Sequence, residues 1–173
     1  MGLNAPARTH QSAHQVHISM FVMRHFQRGE HPGYFTKLTP DGFRRARSLY
    51  VPGITRIVSS PFPRCVDSVR TFAETNDIPM HVASALAEYI DDERHGIPLE
   101  THEHMSRRVE DFILRDQRDQ RGQTTLYVTH QSIAEVICGR ALDQGEIVRV
   151  EHDWARGDSQ NRHSLSCHSH TCP

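Results

Sequence analysis

Short apolar runs alternate with helical apolar stripes along this chain, and this alternation restricts the possible folds more than any other feature. Runs rich in β-branched residues predict strands over residues 17–24, 54–59 and 124–129, with shorter strands at 80–83 and 147–150. Apolar stripes at helical spacing lie between them, at 43–50, 65–73, 105–113 and 133–142. Strands and helices in this order favour a three-layer α/β/α sandwich with a mostly parallel sheet.

Capping residues predict where two of these helices begin. Thr39 is a suitable N-cap, Pro40 suits the first helical position, and Pro52 with the following glycine should end that helix. Ser132 and Glu135 have the spacing of a capping box, which predicts a helix start at Ser132. The first helix is expected to bury one apolar face, which is made of Phe43, Ala46, Leu49 and Tyr50.

Composition restricts the classes of function. The chain has 173 residues and a formal net charge of -1, so we expect one domain and no global field that attracts nucleic acid. No apolar run approaches the roughly 18 to 20 residues that span a bilayer, and the N-terminus lacks a signal-peptide pattern. These features predict an intracellular, cytoplasmic protein with reduced thiols, in which Cys65 and Cys138 belong to the core.

The two ends of the chain differ in composition from the middle. Residues 1–15 are polar and predict a disordered lead-in, and residues 16–154 should form the folded domain. Residues 155–173 form a polar tail rich in Cys and His between Cys167 and Cys172. The spacing of these potential ligands is too tight and irregular for a known zinc finger, so no specific metal site is expected. The alternative is a final strand with alternating side chains.

Three of the predicted strands end in cationic or imidazole side chains. Arg24 and His25 close the first strand, Arg64 follows the second in the first turn of a helix, and His130 closes the strand at 124–129. Ligands of open parallel sheets bind beyond the carboxyl ends of the strands, so these side chains should converge. Guanidinium groups bind phosphate oxygens in pairs, and helix N-termini add N–H donors. The pattern predicts a phosphate pocket.

An imidazole in such a pocket can also react. Neighbouring guanidinium groups favour its neutral form, and a neutral ring nitrogen can attack phosphorus to give a phosphohistidine. The leaving oxygen then needs a proton from a carboxylic acid at the rim. Glu88 lies in a loop that could reach the pocket, and Asp91 and Asp92 are alternative donors in the same loop.

Five motifs in this order and spacing resemble the histidine phosphatase superfamily, which has the phosphoglycerate mutase-like fold. They cover most of residues 17–143 and are Phe21-Val22-Met23-Arg24-His25, Leu38-Thr39-Pro40-Asp41-Gly42, Val58-Ser59-Ser60-Pro61-Phe62-Pro63-Arg64-Cys65, Leu86-Ala87-Glu88 and Tyr127-Val128-Thr129-His130. Within the superfamily, the motifs resemble most the suppressor-of-T-cell-signalling tyrosine phosphatases. The length resembles that of the bacterial phosphohistidine phosphatases.

The resemblance implies a role for each matched position. His25 would be the phosphorylated nucleophile, Arg24, Arg64 and His130 would hold the phosphoryl group, and Glu88 would be the proton donor. Arg28, three residues after His25, matches the additional arginine of branches that read R-H-G-x-R. The implied enzyme is a phosphomonoesterase without metal or cofactor. Its partner would be a phosphorylated protein or small molecule, with neither nucleic acid nor a membrane involved.

The chain departs from the family pattern at Phe26, where the family usually has glycine. A phenylalanine could crowd the pocket and leave a phosphate-binding scaffold without activity, or form an aromatic wall for a phenolic substrate. Mutase activity is the less favoured enzyme alternative, because the chain lacks room for the insertions that usually shape a bisphosphate site. Phosphotyrosine, phosphohistidine and small phosphate esters all remain open as substrates.

Overall fold

A computed structural model of the protein describes residues 16–30, 35–88, 100–154 and 166–168. The predicted lead-in at 1–15, the alternative acids Asp91 and Asp92, and most of the polar tail lie outside these residues. A short strand at Ser166–His168 is the described part of the tail. No helix in the described ranges is long and apolar enough to cross a membrane.

Within the described residues, six strands form one sheet, with helices on both sides. The strands are β1 (Val16–Arg24), β2 (Arg56–Ser59), β3 (Met80–Val82), β4 (Thr125–Thr129), β5 (Ile147–Trp154) and β6 (Ser166–His168). The helices are α1 (Pro40–Arg47), α2 (Pro63–Thr75), α3 (His102–Asp119) and α4 (Gln131–Cys138), with a 3₁₀ helix at Ser84–Leu86. The strand order is β3-β2-β4-β1-β5-β6. The first four strands are parallel and the last two pair antiparallel, which confirms the predicted fold class.

The parallel register brings three strand ends to one point. Arg24 of β1 pairs with Thr129 of β4, and Ser59 of β2 pairs with Val128 of the same strand. The pairing continues one residue beyond the strands, because the His25 amide donates to the Thr129 carbonyl at 3.0 Å. The residues that follow β1, β2 and β4 therefore start from neighbouring positions at the carboxyl edge of the sheet.

The two faces of the sheet bury separate cores. Met20 and Val22 point to the face covered by α3 and α4, whereas Met23 points to the face covered by α1 and α2. These are the faces that the period of two predicts for β1. Cys65 and Cys138 are both buried free thiols, one in each core, as predicted.

Helix α1 is shorter than predicted and buries a different face. It ends at Arg47, not at Pro52, and its buried residues are Gly42 and Ala46. A Cβ atom at Gly42 would lie 2.4 Å from the Gln27 carbonyl oxygen, so the helix can pack closely only through this glycine. This close contact turns Phe43 to the edge of the helix, where 37% of it is exposed. Tyr50, beyond the helix end, is 68% exposed.

The predicted capping box of α4 is also wrong. The helix begins at Gln131, and His130 is its N-cap residue without a side-chain capping bond. Ser132 therefore lies in the first helical turn, and its hydroxyl donates to Glu88 instead of to its own backbone. A contact with a residue distant in the sequence has replaced the local one that the spacing suggested.

Candidate active site

Two imidazoles and a guanidinium meet beyond the carboxyl ends of β1, β2 and β4. The rings of His25 and His130 lie edge to face, with centroids 5.4 Å apart. Arg64 reaches them from the first turn of α2. All three side chains are buried, with 2%, 0% and 3% of each residue exposed for His25, His130 and Arg64. The structure thus brings together three of the predicted site residues from three segments of the chain.

His25 is held in one tautomer. Its Nδ1 lies 2.7 Å from the carbonyl oxygen of Phe26, and a carbonyl can only accept, so Nδ1 carries the proton. The lone pair is then on Nε2, for which the described residues supply no hydrogen-bond partner. Burial, with the positive charges of Arg64 and Arg24 in addition, lowers the pKa of His25 to about 3 despite the bond to Phe26. The ring is therefore neutral near pH 7 with a free nitrogen.

His130 is also neutral, and both of its nitrogens are bonded. Burial lowers its pKa more than the hydrogen bond to Glu88 raises it. Nδ1 lies 3.1 Å from Oε2 of Glu88 and donates to it. Nε2 lies 2.8 Å from the Ser60 hydroxyl, which donates to the neutral ring, and 3.5 Å from the Cys65 sulfur. Burial raises the pKa of the Cys65 thiol, so this sulfur is not a thiolate.

The Glu88 carboxylate lies among the cationic and N–H donors of the site. Its Oε2 accepts from Arg64 at 2.9 Å as well as from His130, and its Oε1 accepts from Ser132 at 3.1 Å. Burial raises its pKa, but the hydrogen bonds from His130 and Arg64 and the positive charge of Arg64 outweigh this and hold the pKa at about 2. Glu88 is therefore ionised and occupies donors that suit a phosphoryl oxygen.

Two long-range hydrogen bonds fix the segment that carries Glu88. The hydroxyl of Thr129, at the end of β4, donates to the Leu86 carbonyl at 2.9 Å. Arg108 of α3 donates to the Ala85 carbonyl at 2.6 Å and also pairs with Glu100. The backbone before Glu88 is thus tied both to the sheet and to α3, which explains how a loop residue enters the site.

Arg24 contributes charge at the edge of the site. One terminal nitrogen donates to the Leu142 carbonyl at 2.8 Å, and among the described residues its buried Nε has no hydrogen-bond partner. Burial lowers its pKa, and the charges of Glu88 and Arg28 also act on it, so both residues are near. Arg28 itself forms an isolated antiparallel bridge with Leu38. Arg24 lies at the pocket, and Arg28 is near enough for its charge to act on Arg24.

Phe26 does not stand in front of His25, which corrects both expectations for this residue. The residue is 4% exposed and belongs to the core between the sheet and helices α1 and α2. The Arg45 guanidinium lies over the ring, 5.0 Å from its centroid. Asp77 is the only described residue other than glycine with a positive φ, so Phe26 adopts an ordinary backbone conformation. The ring neither blocks the pocket nor forms its wall.

Sequence reasoning missed three serines that support the site. Ser60 bonds His130, Ser132 bonds Glu88, and Ser68 accepts from the Phe26 amide at 3.0 Å. Ser60 and Ser132 lie in motifs that were recognised, but their hydroxyl partners depend on the tertiary fold. Ser68, four residues after Arg64, resembles any polar residue on a helix.

The site is suited to binding an anion. Within the described ranges, no group of three or more His, Cys, Asp or Glu side chains is arranged to hold a metal ion. The groups that converge are two guanidinium groups, two neutral imidazoles and a carboxylate already held by donors. A dianion with tetrahedral oxygens, such as a phosphoryl group, can satisfy these donors and present its central atom to Nε2 of His25.

Known structures share the architecture of this chain. An alpha-ribazole phosphatase from Shigella flexneri superposes with a TM-score of 0.61 at 22% identity, covering 77% of this chain and 90% of that one. A phosphoserine phosphatase from Entamoeba histolytica, solved with phosphoserine, gives 0.63 at 14% identity over 80% and 95%. A mycobacterial glucosyl-3-phosphoglycerate phosphatase gives 0.59 at 12% identity over 79% and 91%.

The chain has the phosphoglycerate mutase-like fold. The predicted resemblance to the histidine phosphatase superfamily is thus confirmed at the level of the fold. No protein family model matches the sequence, and no curated protein matches it. The sequence identities are low because many different sequences can form the same fold.

The buried, neutral His25 should make the protein less stable in acid. The unfolded chain binds a proton at this histidine below about pH 6.5, whereas the folded chain does so only near pH 3. Stability should therefore fall as the pH falls through this window. Between pH 6 and 5, His25→Asn should reduce the slope of unfolding free energy against pH by about 1.2 kcal/mol per pH unit. Urea denaturation at several pH values measures this slope.

The matched control is His81→Asn, which changes an exposed histidine of β3. This variant is expected to keep the slope of the unsubstituted chain. Above pH 5, Glu88 contributes little to this slope, because a glutamate of the unfolded chain takes up its proton near pH 4.5. An unchanged slope in His25→Asn would show that His25 is not held neutral in the folded protein.

Proposed function

We propose that this protein is a metal-independent phosphomonoesterase that works through a phosphohistidine intermediate on His25. The observation that carries the proposal is the state of His25: a neutral, tautomerically fixed imidazole whose free Nε2 lies beside buried cationic groups. A neutral ring nitrogen is a nucleophile, and guanidinium groups stabilise charge on a phosphoryl group during transfer.

Substrate binding would displace the Glu88 carboxylate from its donors. A phosphate monoester brings two negative charges, whereas Glu88 has one, so the ester competes for the same groups on Arg64 and His130. Arg24 adds a guanidinium, and Arg28 is the second arginine that could reach the oxygens. The loss of these partners and the nearby dianion both raise the pKa of Glu88, which prepares it to hold a proton.

The first chemical step is attack of His25 Nε2 on phosphorus. A bond forms between Nε2 and phosphorus, the bond from phosphorus to the ester oxygen breaks, and that oxygen takes the proton from Glu88 as it leaves. The Phe26 carbonyl accepts the hydrogen bond from Nδ1 throughout the step, so the proton stays on Nδ1. The same carbonyl dipole stabilises the positive charge that develops on the ring.

Water completes the cycle. Glu88, now a carboxylate again, removes a proton from a water molecule, whose oxygen attacks phosphorus from the side opposite the imidazole. The bond from Nε2 to phosphorus breaks, inorganic phosphate forms, and His25 returns to its neutral state. No redox change or metal ion is required by this sequence of steps.

The expected partner is a phosphorylated protein or small molecule. The three solved relatives are named for alpha-ribazole, phosphoserine and glucosyl-3-phosphoglycerate phosphatase activity, so small phosphate esters are the first substrates to test. Phosphotyrosine and phosphohistidine peptides are the next class. No observation favours the scaffold alternative, because the Phe26 ring that motivated it packs in the core.

Hydrolysis of para-nitrophenyl phosphate tests the activity. The chain should release nitrophenol between pH 5 and 8 with EDTA present, because the nucleophile is neutral throughout this range. His25→Ala should abolish turnover, and His81→Ala, which removes an exposed histidine, should retain it. Phosphate binding without turnover in the unsubstituted chain would instead support the scaffold alternative.

The two roles of Glu88 can be separated with Glu88→Gln. Removal of the competing charge should tighten inorganic phosphate binding about tenfold by calorimetry, because Arg64 and His130 lose their internal anion. Loss of the acid should lower the turnover of alkyl phosphates about 100-fold or more, and that of para-nitrophenyl phosphate much less, because nitrophenolate leaves without a proton.

Glu103→Gln is the matched control, since Glu103 is an exposed glutamate on α3 whose carboxylate pairs with Arg107. It should change neither quantity. Equal losses for both leaving groups in Glu88→Gln would refute the assignment of Glu88 as the acid, and unchanged phosphate affinity would refute the competition.

A further inference from the structure

The backbone of Phe26 connects the nucleophile to helix α2. Its carbonyl accepts from Nδ1 of His25 at 2.7 Å, and its amide donates to the Ser68 hydroxyl at 3.0 Å. The same hydroxyl donates to the Arg64 carbonyl at 2.7 Å, one helical turn earlier. The Phe26 amide lies in the peptide plane shared with His25 and the Phe26 carbonyl in the next plane, shared with Gln27, so the backbone conformation at Phe26 sets the direction of the hydrogen bond that fixes the His25 tautomer.

The ring of Phe26 is held in a slot made by Gly145 and Arg45. A Cβ atom on Gly145 would lie only 2.4 Å from Cδ1 and 2.5 Å from Cε1 of the ring, so only glycine leaves room for it. Gly145 has a φ of 81°, which glycine adopts without strain. The guanidinium of Arg45 covers the ring, with its carbon 5.0 Å from the centroid, and donates to the Gln144 carbonyl.

The slot and the nucleophile segment share backbone hydrogen bonds. The Gly145 amide donates to the carbonyls of both Arg24 and His25, at 3.0 and 3.1 Å. Gly145, which makes room for the Phe26 ring, thus also bonds Arg24 and His25, the two residues that precede Phe26. The Phe26 ring and carbonyl belong to one residue, and that carbonyl bonds the His25 imidazole directly, with no other side chain between them.

We propose that Phe26 is a positioning residue, whose ring, seated between Gly145 and Arg45, orients the peptide carbonyl that holds His25 in its reactive tautomer. The proposal rests on the proposed function for its catalytic consequence, because the tautomer matters only if Nε2 is the nucleophile. It also explains how this chain manages without glycine after the nucleophile. The ring turns away from the pocket into a slot made by Arg45 and by Gly145, which is far from Phe26 in the sequence.

A phenylalanine that only fills the core would behave differently. Its loss would lower stability, yet the imidazole would keep its tautomer, because the Ser68 and Gly145 bonds would hold the backbone unaided. The two accounts differ in what happens to the nitrogens of His25. They also differ in whether kcat or KM changes, since a misdirected nucleophile slows the chemical step and leaves substrate binding alone.

The test compares Phe26→Gly and Phe26→Leu with Phe72→Leu. Phe72 is a matched control, since it is buried to the same 4% in the same core but lies on α2 without a contact to His25 among the described residues. The first measurement is ¹⁵N NMR of labelled imidazoles at pH 7, with His25 assigned by His25→Asn. In the unsubstituted chain and in Phe72→Leu, Nδ1 should be protonated and Nε2 should not.

Phe26→Gly should show both tautomers of His25 in exchange, and Phe26→Leu should show a smaller admixture because leucine still fills part of the slot. The second measurement is hydrolysis of para-nitrophenyl phosphate. Phe26→Gly should lose about 10- to 100-fold in kcat with KM unchanged within about twofold, whereas Phe72→Leu should retain kcat.

A single tautomer in Phe26→Gly and Phe26→Leu, equal to that of the unsubstituted chain, would overturn the proposal. If Phe26→Gly fails to fold, Phe26→Leu and the control decide the same question. The NMR measurement does not need turnover. Absence of phosphatase activity would therefore refute the proposed function, whereas the positioning role of Phe26 is judged from the His25 tautomer alone.

Discussion

The placement of charge around Glu88 determines much of this structure. The Arg64 guanidinium is almost fully buried, and a buried cation requires a compensating anion. The Glu88 carboxylate supplies it, and Ser132 satisfies its other oxygen. This internal pair compensates the buried charge in the absence of another anion. In the proposed mechanism, a doubly charged phosphoryl group takes over the same donors.

The sheet makes this arrangement possible. Three parallel strands in register end together, so that residues 25, 60 and 130 begin from one edge although the chain between them is long. Helices α2 and α4 start directly from β2 and β4 and turn their first residues toward the same place. The solved phosphatases of low identity share the fold of this chain although their sequence similarity to it is small.

Local sequence signals were sufficient for the fold and for the residues at strand ends. Arg24, His25, Arg64 and His130 follow apolar runs whose periods define strand and helix, and parallel topology then places them together. Where partners are distant, the same signals failed. The capping box at Ser132 gave way to a bond with Glu88, and α1 packs through Gly42 because of a contact with Gln27. The position of the Phe26 ring depends on Gly145, which is too far away in the sequence for a local pattern to include both residues.

Direct capture of the phosphoenzyme tests the central claim that His25 Nε2 takes the phosphoryl group. The chain is mixed with para-nitrophenyl phosphate, quenched within milliseconds in alkali, where phosphohistidine survives, and digested for mass spectrometry. The account predicts one added phosphoryl group on the peptide that contains His25, and none in the His25→Asn variant. Turnover in which that peptide stays unmodified, or in which the group is found on another residue, would contradict it.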